Sequence, residues 1–188
     1  MKARTDTRDK IVELGRDLLQ TVGYPSLSYQ QISSKLGIKN AAVHYHFPGK
    51  EDLGLDIINH DREAFEKFAL AIADRKHWEK LDIFLSNYRT ILENGNKICV
   101  IGASASDCAE LPDQLRQASA AYLLSVKQWF ETLLENGRSE GEFYFKGESK
   151  NKAALIVSSL AGALQHARLI GNQHYDDVVK QVKLELKA

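Results

Sequence analysis

The stretch from Ser28 to Lys50, SYQQISSKLGIKNAAVHYHFPGK, constrains this chain more than any other. Ile32 and Leu36 stand four apart, so on a helix they share one apolar face, and Ser28 ahead of them can cap an exposed backbone N–H. Gly37 permits the positive φ that a tight helix-to-helix turn needs, with Ile38 packing back beneath it. A second helix then runs from about Asn40 to Phe47, anchored inward by Val43 and Phe47 and broken at Pro48 and Gly49. Ala41 and Ala42 at its start let the backbone approach a partner closely. Lys39, Asn40, Ala42, His44, Tyr45 and His46 share the remaining faces, an unusual mixture for a solvated surface. It suits a helix laid in a DNA major groove.

The run Gly37, Ile38, Lys39, Asn40, Ala41, Ala42, Val43, His44, Tyr45, His46, Phe47, Pro48, Gly49, Lys50 resembles the recognition segment of TetR family transcriptional regulators, which typically reads Gly-Val-Ser-x-Gly-Thr-Leu-Tyr-x-His-Phe-x-x-Lys. The likeness extends over about the first fifty residues without a gap. It departs at Lys39, where the family usually has a capping Ser, and at His44, where it usually has a phosphate-contacting Tyr whose place Tyr45 can take. The resemblance implies an all-α chain with an N-terminal three-helix helix-turn-helix DNA-binding domain (1–50) and a C-terminal helical ligand-binding and dimerisation domain (51–188).

The formal net charge is zero, which looks unpromising for a nucleic-acid binder, but residues 1–50 carry +4 and the remainder −4. A basic module on an acidic body directs phosphates to one end of a molecule. Three Pro and two Cys exclude a Pro-rich or disulfide-stapled design. The polar start MKARTDTRDK and the lack of an apolar run of about 18 residues argue against a signal peptide and a membrane span, hence for a cytoplasmic protein.

A first helix, about Thr5 to Val22, places Ile11, Leu14, Gly15, Leu18, Leu19 and Val22 on one stripe, and Gly23, Tyr24 and Pro25 stop it. Its basic end from Lys2 to Lys10 can reach phosphates or be a solvated tail. Beyond Lys50 one long helix continues to about Ala73, the element that would couple the two domains. Further helices follow over His77–Glu93, Leu111–Asn136, Ser149–Ile170 and His174–Lys187. Gly137 and Gly141 punctuate a loop, and Glu142 to Phe145 are briefly strand-like. Ser158, Ala161, Gly162 and Ala163 would let another helix come close. The last two helices are therefore expected to pair with their symmetry mates in a homodimer, a buried intrachain face being the alternative.

No phosphate loop, nucleotide-binding glycine motif, nucleophile elbow, metalloprotease motif, Cys-x-x-Cys or Glu-x-x-His occurs, so neither an enzyme nor a cofactor is expected. His44 and His46 diverge by roughly 200° around a helix, too far for a shared metal. Cys99 follows Lys97 and would lie in the first turn of a helix starting near Ile98, which favours a thiolate, although a buried inert thiol is the commoner state. In a continuous helix Cys108 would be about 13 Å from it, beyond disulfide reach. Lys97 to Gly102, Leu111-Pro112 and Glu135 to Arg138 resemble a TetR subgroup that includes regulators responsive to electrophiles and small unsaturated acids, which implies a sensing role for Cys99.

The expectation is thus a dimeric repressor on a palindromic double-stranded DNA operator, released by a small-molecule effector. Ser28, Tyr45, His46 and Lys50 would hold phosphates. Lys39, Asn40, Ala42 and His44 would face base edges, with Asn40 suited to adenine and Lys39 to guanine. Phe84, Tyr88, Cys99, Tyr122, Trp129 and His166 would line the effector pocket. A helical protein-interaction adaptor and a helical-bundle enzyme remain the alternatives.

Overall fold

The computed structural model describes the backbone of residues 2–187 and the side chains of residues 7–187. Among these the chain forms α1 (Lys2–Ser26), α2 (Tyr29–Leu36), α3 (Asn40–His46), α4 (Lys50–Ala71), α5 (His77–Glu93), α6 (Val100–Ser106), α7 (Asp113–Ser139), α8 (Ser149–Ile170) and α9 (Gln173–Leu184), with no strand. The residues fall into two compact units. One holds the chain up to Glu63 together with Val100–Tyr122; the other holds Ala64–Cys99 and the chain from Leu123 onward. The boundary expected at residue 50 falls inside the first unit, at the first residue of α4.

In the first unit, α1 buries Ile11, Val12, Leu18 and Leu19, and Val22 lies outside that stripe, 45% exposed. The helix breaks at Gly23 (φ 83, ψ 169), and Tyr24 to Ser26 add one turn with Pro25 inside it. The break shifts the apolar face away from Val22 and onto Tyr24 and Leu27, both buried. Two ion pairs tie α1 to α4: Arg8 to Asp56 at 2.7 Å, and Arg16 to the buried Asp61. Burial opposes the charge on Arg16, yet the hydrogen bond and charge of Asp61 outweigh it, so the guanidinium is held all the more firmly protonated.

In the second unit, α5, α8 and α9 pack together. Tyr175, 1% exposed, reaches from α9 to donate its hydroxyl proton to the Leu85 carbonyl at 2.9 Å, and its burial pushes the phenol well above the ordinary tyrosine range. Lys183 to Asp82 (2.7 Å), Arg89 to Asp176 (3.3 Å) and Lys152 to Glu185 (3.1 Å) rim the same contact, each worth about 0–1 kcal/mol at an exposed site. By length and composition α8 is apolar enough to cross a membrane, which corrects the expectation that no such run exists. Its Ile156, Leu160, Ala163, Leu164 and Ala167 are buried, as on a bundle helix.

α7 runs through Gly137 to Ser139, so that glycine is helical rather than part of the loop expected there. The reason is steric: a Cβ at Gly137 would collide with the ring of Phe143, which fills the notch and is 1% exposed. Glu142 to Phe145 form a loop segment instead of a strand, because Glu142 turns back to cap α5. Its carboxylate accepts the backbone N–H groups of His77 (3.4 Å) and Trp78 (3.2 Å) and lies 3.0 Å from His77 Nδ1. Glu140 lies 3.6 Å from the same nitrogen. His77, Glu140 and Glu142 converge closely enough for a shared cation, but the Glu142 oxygens are already committed to the first turn of α5.

Burial raises the pKa of the Glu142 carboxyl, and hydrogen bonds from His77 and Trp78 overcome that effect, so it is held below the ordinary 4.5. A depressed carboxyl pKa contributes stability that is complete above the unfolded value and lost as pH falls through the folded one. Glu142→Ala is therefore expected to lower the unfolding free energy by about 1–2 kcal/mol at pH 7. In urea unfolding the gap to the parent should narrow below about pH 4.5; a gap independent of pH would remove the ionised cap from the account.

A candidate nucleic-acid interface on the helix-turn-helix

The turn between α2 and α3 is built as its residues dictate. Ser28 and Gln31 form a reciprocal capping box, the Ser28 Oγ accepting the Gln31 N–H at 3.3 Å and the Gln31 Oε1 accepting the Ser28 N–H at 3.0 Å. At the other end Gly37 adopts φ 65, ψ 30. Its N–H reaches the Ser34 carbonyl, and the Ile38 N–H reaches that of Ser33 at 3.0 Å, closing the carbonyls that the helix leaves open.

α3 turns Val43 (0% exposed) inward, and Phe47 just beyond it is 2% exposed. Lys39, Asn40, His44 and Tyr45 are exposed, while Ala42 and His46 are half-buried. Lys39 occupies the N-cap position without a side-chain cap, as its lack of an acceptor requires. Tyr29, buried beneath α3, donates its hydroxyl proton to the Phe47 carbonyl at 2.8 Å and meets the His44 ring edge-on at 4.7 Å. Tyr45 and His46 lie edge-to-face at 5.3 Å. No acidic residue occurs between Asp17 and Glu51, so α2, α3 and their turn carry only neutral and basic side chains.

Two of the expected phosphate contacts have intramolecular roles as well. Ser28 is the cap just described. Lys50 donates to the Pro25 carbonyl at 3.0 Å and sits 4.4 Å over the Tyr24 ring. That burial pulls its ammonium below the ordinary lysine range, with the negative charge of Asp107 acting in the opposite direction. Of the basic N-terminal end, the side chains of Lys2 and Arg4 lie outside the described residues. Arg8 is paired with Asp56 and lies over the Phe47 ring at 5.2 Å.

The expected effector residues separate into several places. Phe84 lies between Tyr88 (4.6 Å, 28°) and Trp129 (5.5 Å, 26°) in a stack. Phe65 and Phe68 of α4 and Phe130 of α7 join it, none of which sequence reasoning had placed in the site. His166 is instead on a groove between α8 and α9, with its ring 5.4 Å from that of His174. Tyr122 belongs to the first unit. Cys99 is buried and precedes α6 rather than lying in its first turn; Cys108 is exposed beyond the end of α6, so no continuous helix joins the two thiols. The helix starts later than expected: Ile98 and Cys99 are buried in the core ahead of it, outside any helix.

Comparison with known proteins agrees with this architecture. Residues 11–57 match the model of bacterial regulatory proteins of the tetR family, and residues 78–182 match that of the tetracyclin repressor-like C-terminal domain. The uncharacterized HTH-type transcriptional regulator YxaF of Bacillus subtilis (strain 168) is 26% identical over 166 residues, covering 85% of this chain and 83% of that protein. A TetR family transcriptional regulator from Agrobacterium tumefaciens superposes with a TM-score of 0.92 at 26% identity, over 98% of this chain and all of that one. A TetR transcriptional regulator from Legionella pneumophila gives 0.86 at 28% identity, over 95% and 96%. With the helix-turn-helix geometry and matches to both halves of the family's architecture, the chain belongs to the TetR family of DNA-binding transcriptional regulators.

Proposed function

We propose that this regulator is a repressor that binds a palindromic operator as a homodimer and leaves it when a small molecule occupies the helical body. The observation that carries the reading is the acid-free helix-turn-helix with Lys39 exposed at the N-cap of α3 and Asn40, His44 and Tyr45 exposed on it. Asn40 can pair bidentately with adenine, Lys39 can reach guanine, His44 can meet a base edge and Ala42 can contact a thymine methyl. Tyr45, His46, Ser28 and Lys50 supply phosphate contacts that set register without reading sequence. A protein working on chromosomal DNA in this way acts in the cytoplasm.

Dimerisation through α8 and α9 is supported by what those helices leave uncovered. A groove of about 510 Å³ lies between them, Leu155 and Leu184 are each 54% exposed, and nothing within 4 Å would meet a Cβ at Gly162. A second copy bringing the same helices would cover that face, and a palindromic operator asks the dimer for two α3 helices one DNA turn, about 34 Å, apart. For the effector, the Phe84, Tyr88 and Trp129 stack offers an apolar aromatic surface within the second unit, with Cys99 and His166 as further candidates there, while Tyr122 belongs to the first unit and is a separate candidate. A ligand that prefers a spacing unable to span two half-sites lowers operator affinity by that preference.

The test is selection of genomic duplexes retained by the protein, followed by salt titration against scrambled DNA. A palindromic site bound with a steep salt slope is the expected result. Asn40→Ala should cost about tenfold on that site and little on scrambled DNA. Retention without sequence preference would sink the operator reading and favour the adaptor.

A further inference from the structure

Asp107 follows the last residue of α6 and is held by a hydrogen-bonded turn: its N–H donates to the Ala103 carbonyl at 3.2 Å, and its own carbonyl accepts from the Glu110 N–H at 2.8 Å. From there its Oδ2 accepts the backbone N–H of Tyr24 at 2.7 Å. Tyr24 opens the single turn that follows the break at Gly23, closed by the Leu27 N–H on the Tyr24 carbonyl at 3.2 Å. The first N–H of a turn has no partner inside it, so the Asp107 carboxylate is a cap supplied from a helix distant in sequence. Gly23 is shaped to admit it: a Cβ there would stand 2.6 Å from Asp107 Oδ2 on a backbone at φ 83. On the carbonyl side of the same segment, Lys50 holds the Pro25 oxygen at 3.0 Å and covers the Tyr24 ring. The segment that leads into α2 and the residue that opens α4 directly after α3 therefore meet in one knot whose third strand comes from α6.

We infer that Asp107 is a positioning residue for operator binding: by capping Tyr24 it fixes the angle at which α2 and α3 leave the end of α1. The inference rests on the operator reading above. Its sign separates it from simple electrostatics. Removing an acid from a basic DNA-binding module strengthens binding by charge alone, so a loss of affinity on removing Asp107 has to come from geometry.

The experiment measures fluorescence anisotropy of wild type, Asp107→Ala, Asp107→Asn and Gly23→Ala on the duplex that wild type retains and on a scrambled duplex of equal length, with thermal melts of each. Asp107→Ala is expected to lose about tenfold on the retained site while binding scrambled DNA as well as wild type or slightly better. Asp107→Asn keeps an oxygen acceptor for Tyr24 and should stay within about twofold of wild type. Gly23→Ala should lose about as much as Asp107→Ala, and the double variant no more than either. Should Asp107→Ala melt below the assay temperature, Gly23→Ala carries the test through the same ratio of retained to scrambled affinity. An unchanged ratio in both variants, or an equal loss on both duplexes, overturns the inference while leaving the operator reading intact. A wild type that prefers no duplex overturns the operator reading first.

Discussion

Phe143→Ala is expected to lower the unfolding free energy by about 3–5 kcal/mol, a large part of the margin an ordinary domain has. The ring is 1% exposed in the loop between α7 and α8, occupies the notch at Gly137 and meets Trp78 edge-on at 4.8 Å. Its backbone N–H donates to the Gly137 carbonyl at 2.9 Å, so loop and helix cannot drift apart to close the cavity. The Trp78 indole N–H is also fixed, to the Glu142 carbonyl at 2.9 Å, which leaves the neighbouring ring little freedom to refill the space. Gly137→Ala acts from the other side, forcing a methyl into the ring, and should cost about 1–3 kcal/mol. In the double variant the new methyl has space, so the two losses should sum to less than their parts. Urea unfolding followed by tryptophan fluorescence measures all three; a Phe143→Ala loss under about 1 kcal/mol would show that the ring does not fill this notch.

Tyr29→Ala should be nearly as costly, about 3–5 kcal/mol, and should disturb α3 without touching its exposed face. Tyr29 is 9% exposed and joins three things: the core under α2, the Phe47 carbonyl at the end of α3 and the His44 ring. Tyr29→Phe isolates the hydroxyl. It leaves the buried Phe47 carbonyl without that donor and should cost about 1–3 kcal/mol while preserving the edge contact to His44. The same hydrogen bond gives a pH signature. Burial first, and then the negative charge of Asp52, push the phenol up to about 12 from the ordinary 10. A raised pKa contributes stability that is fully present below the unfolded value and is lost as pH rises through the folded one. Wild type should therefore lose stability between pH 10 and about 12 in a way that Tyr29→Phe does not. Chemical denaturation across that range decides it; parallel curves would assign the alkaline loss to other groups.

The Glu142 cap shows where reading from sequence reaches its limit. Glu142 sits beside a strand-like apolar pattern, and nothing local announces that its carboxylate serves a helix more than sixty residues earlier. Asp107 is the same case, an acid in a small-residue run whose partner is a backbone N–H at Tyr24. Gly137 was legible as a glycine but not as a notch, because a glycine in a polar run reads as a turn until the ring that needs the space is known. The residues expected to line an effector pocket lie apart for a related reason. Helical periodicity shows that Phe84, Tyr88 and His166 lie on faces of their helices, but not which helix each face meets; the first two joined an aromatic stack and the third went to the α8–α9 groove.

What the sequence by itself determined is what short-range chemistry determines. The Ser28 cap, the left-handed Gly37, the break at Gly23 and the inward Val43 and Phe47 each follow from constraints acting within a turn or two of chain, and together they specify the helix-turn-helix and the exposed face of α3. Only the tertiary structure decided the rest: that α6 reaches Tyr24 through Asp107, that Phe143 fills the notch at Gly137, and that Tyr175 ties α9 to α5. These contacts join residues far apart in the chain, and the hydrogen-bond acceptors they use are backbone carbonyls or common carboxylates. Every residue has the former, and 25 of the 188 residues are Asp or Glu, so identity alone cannot say which acceptor a distant donor will find.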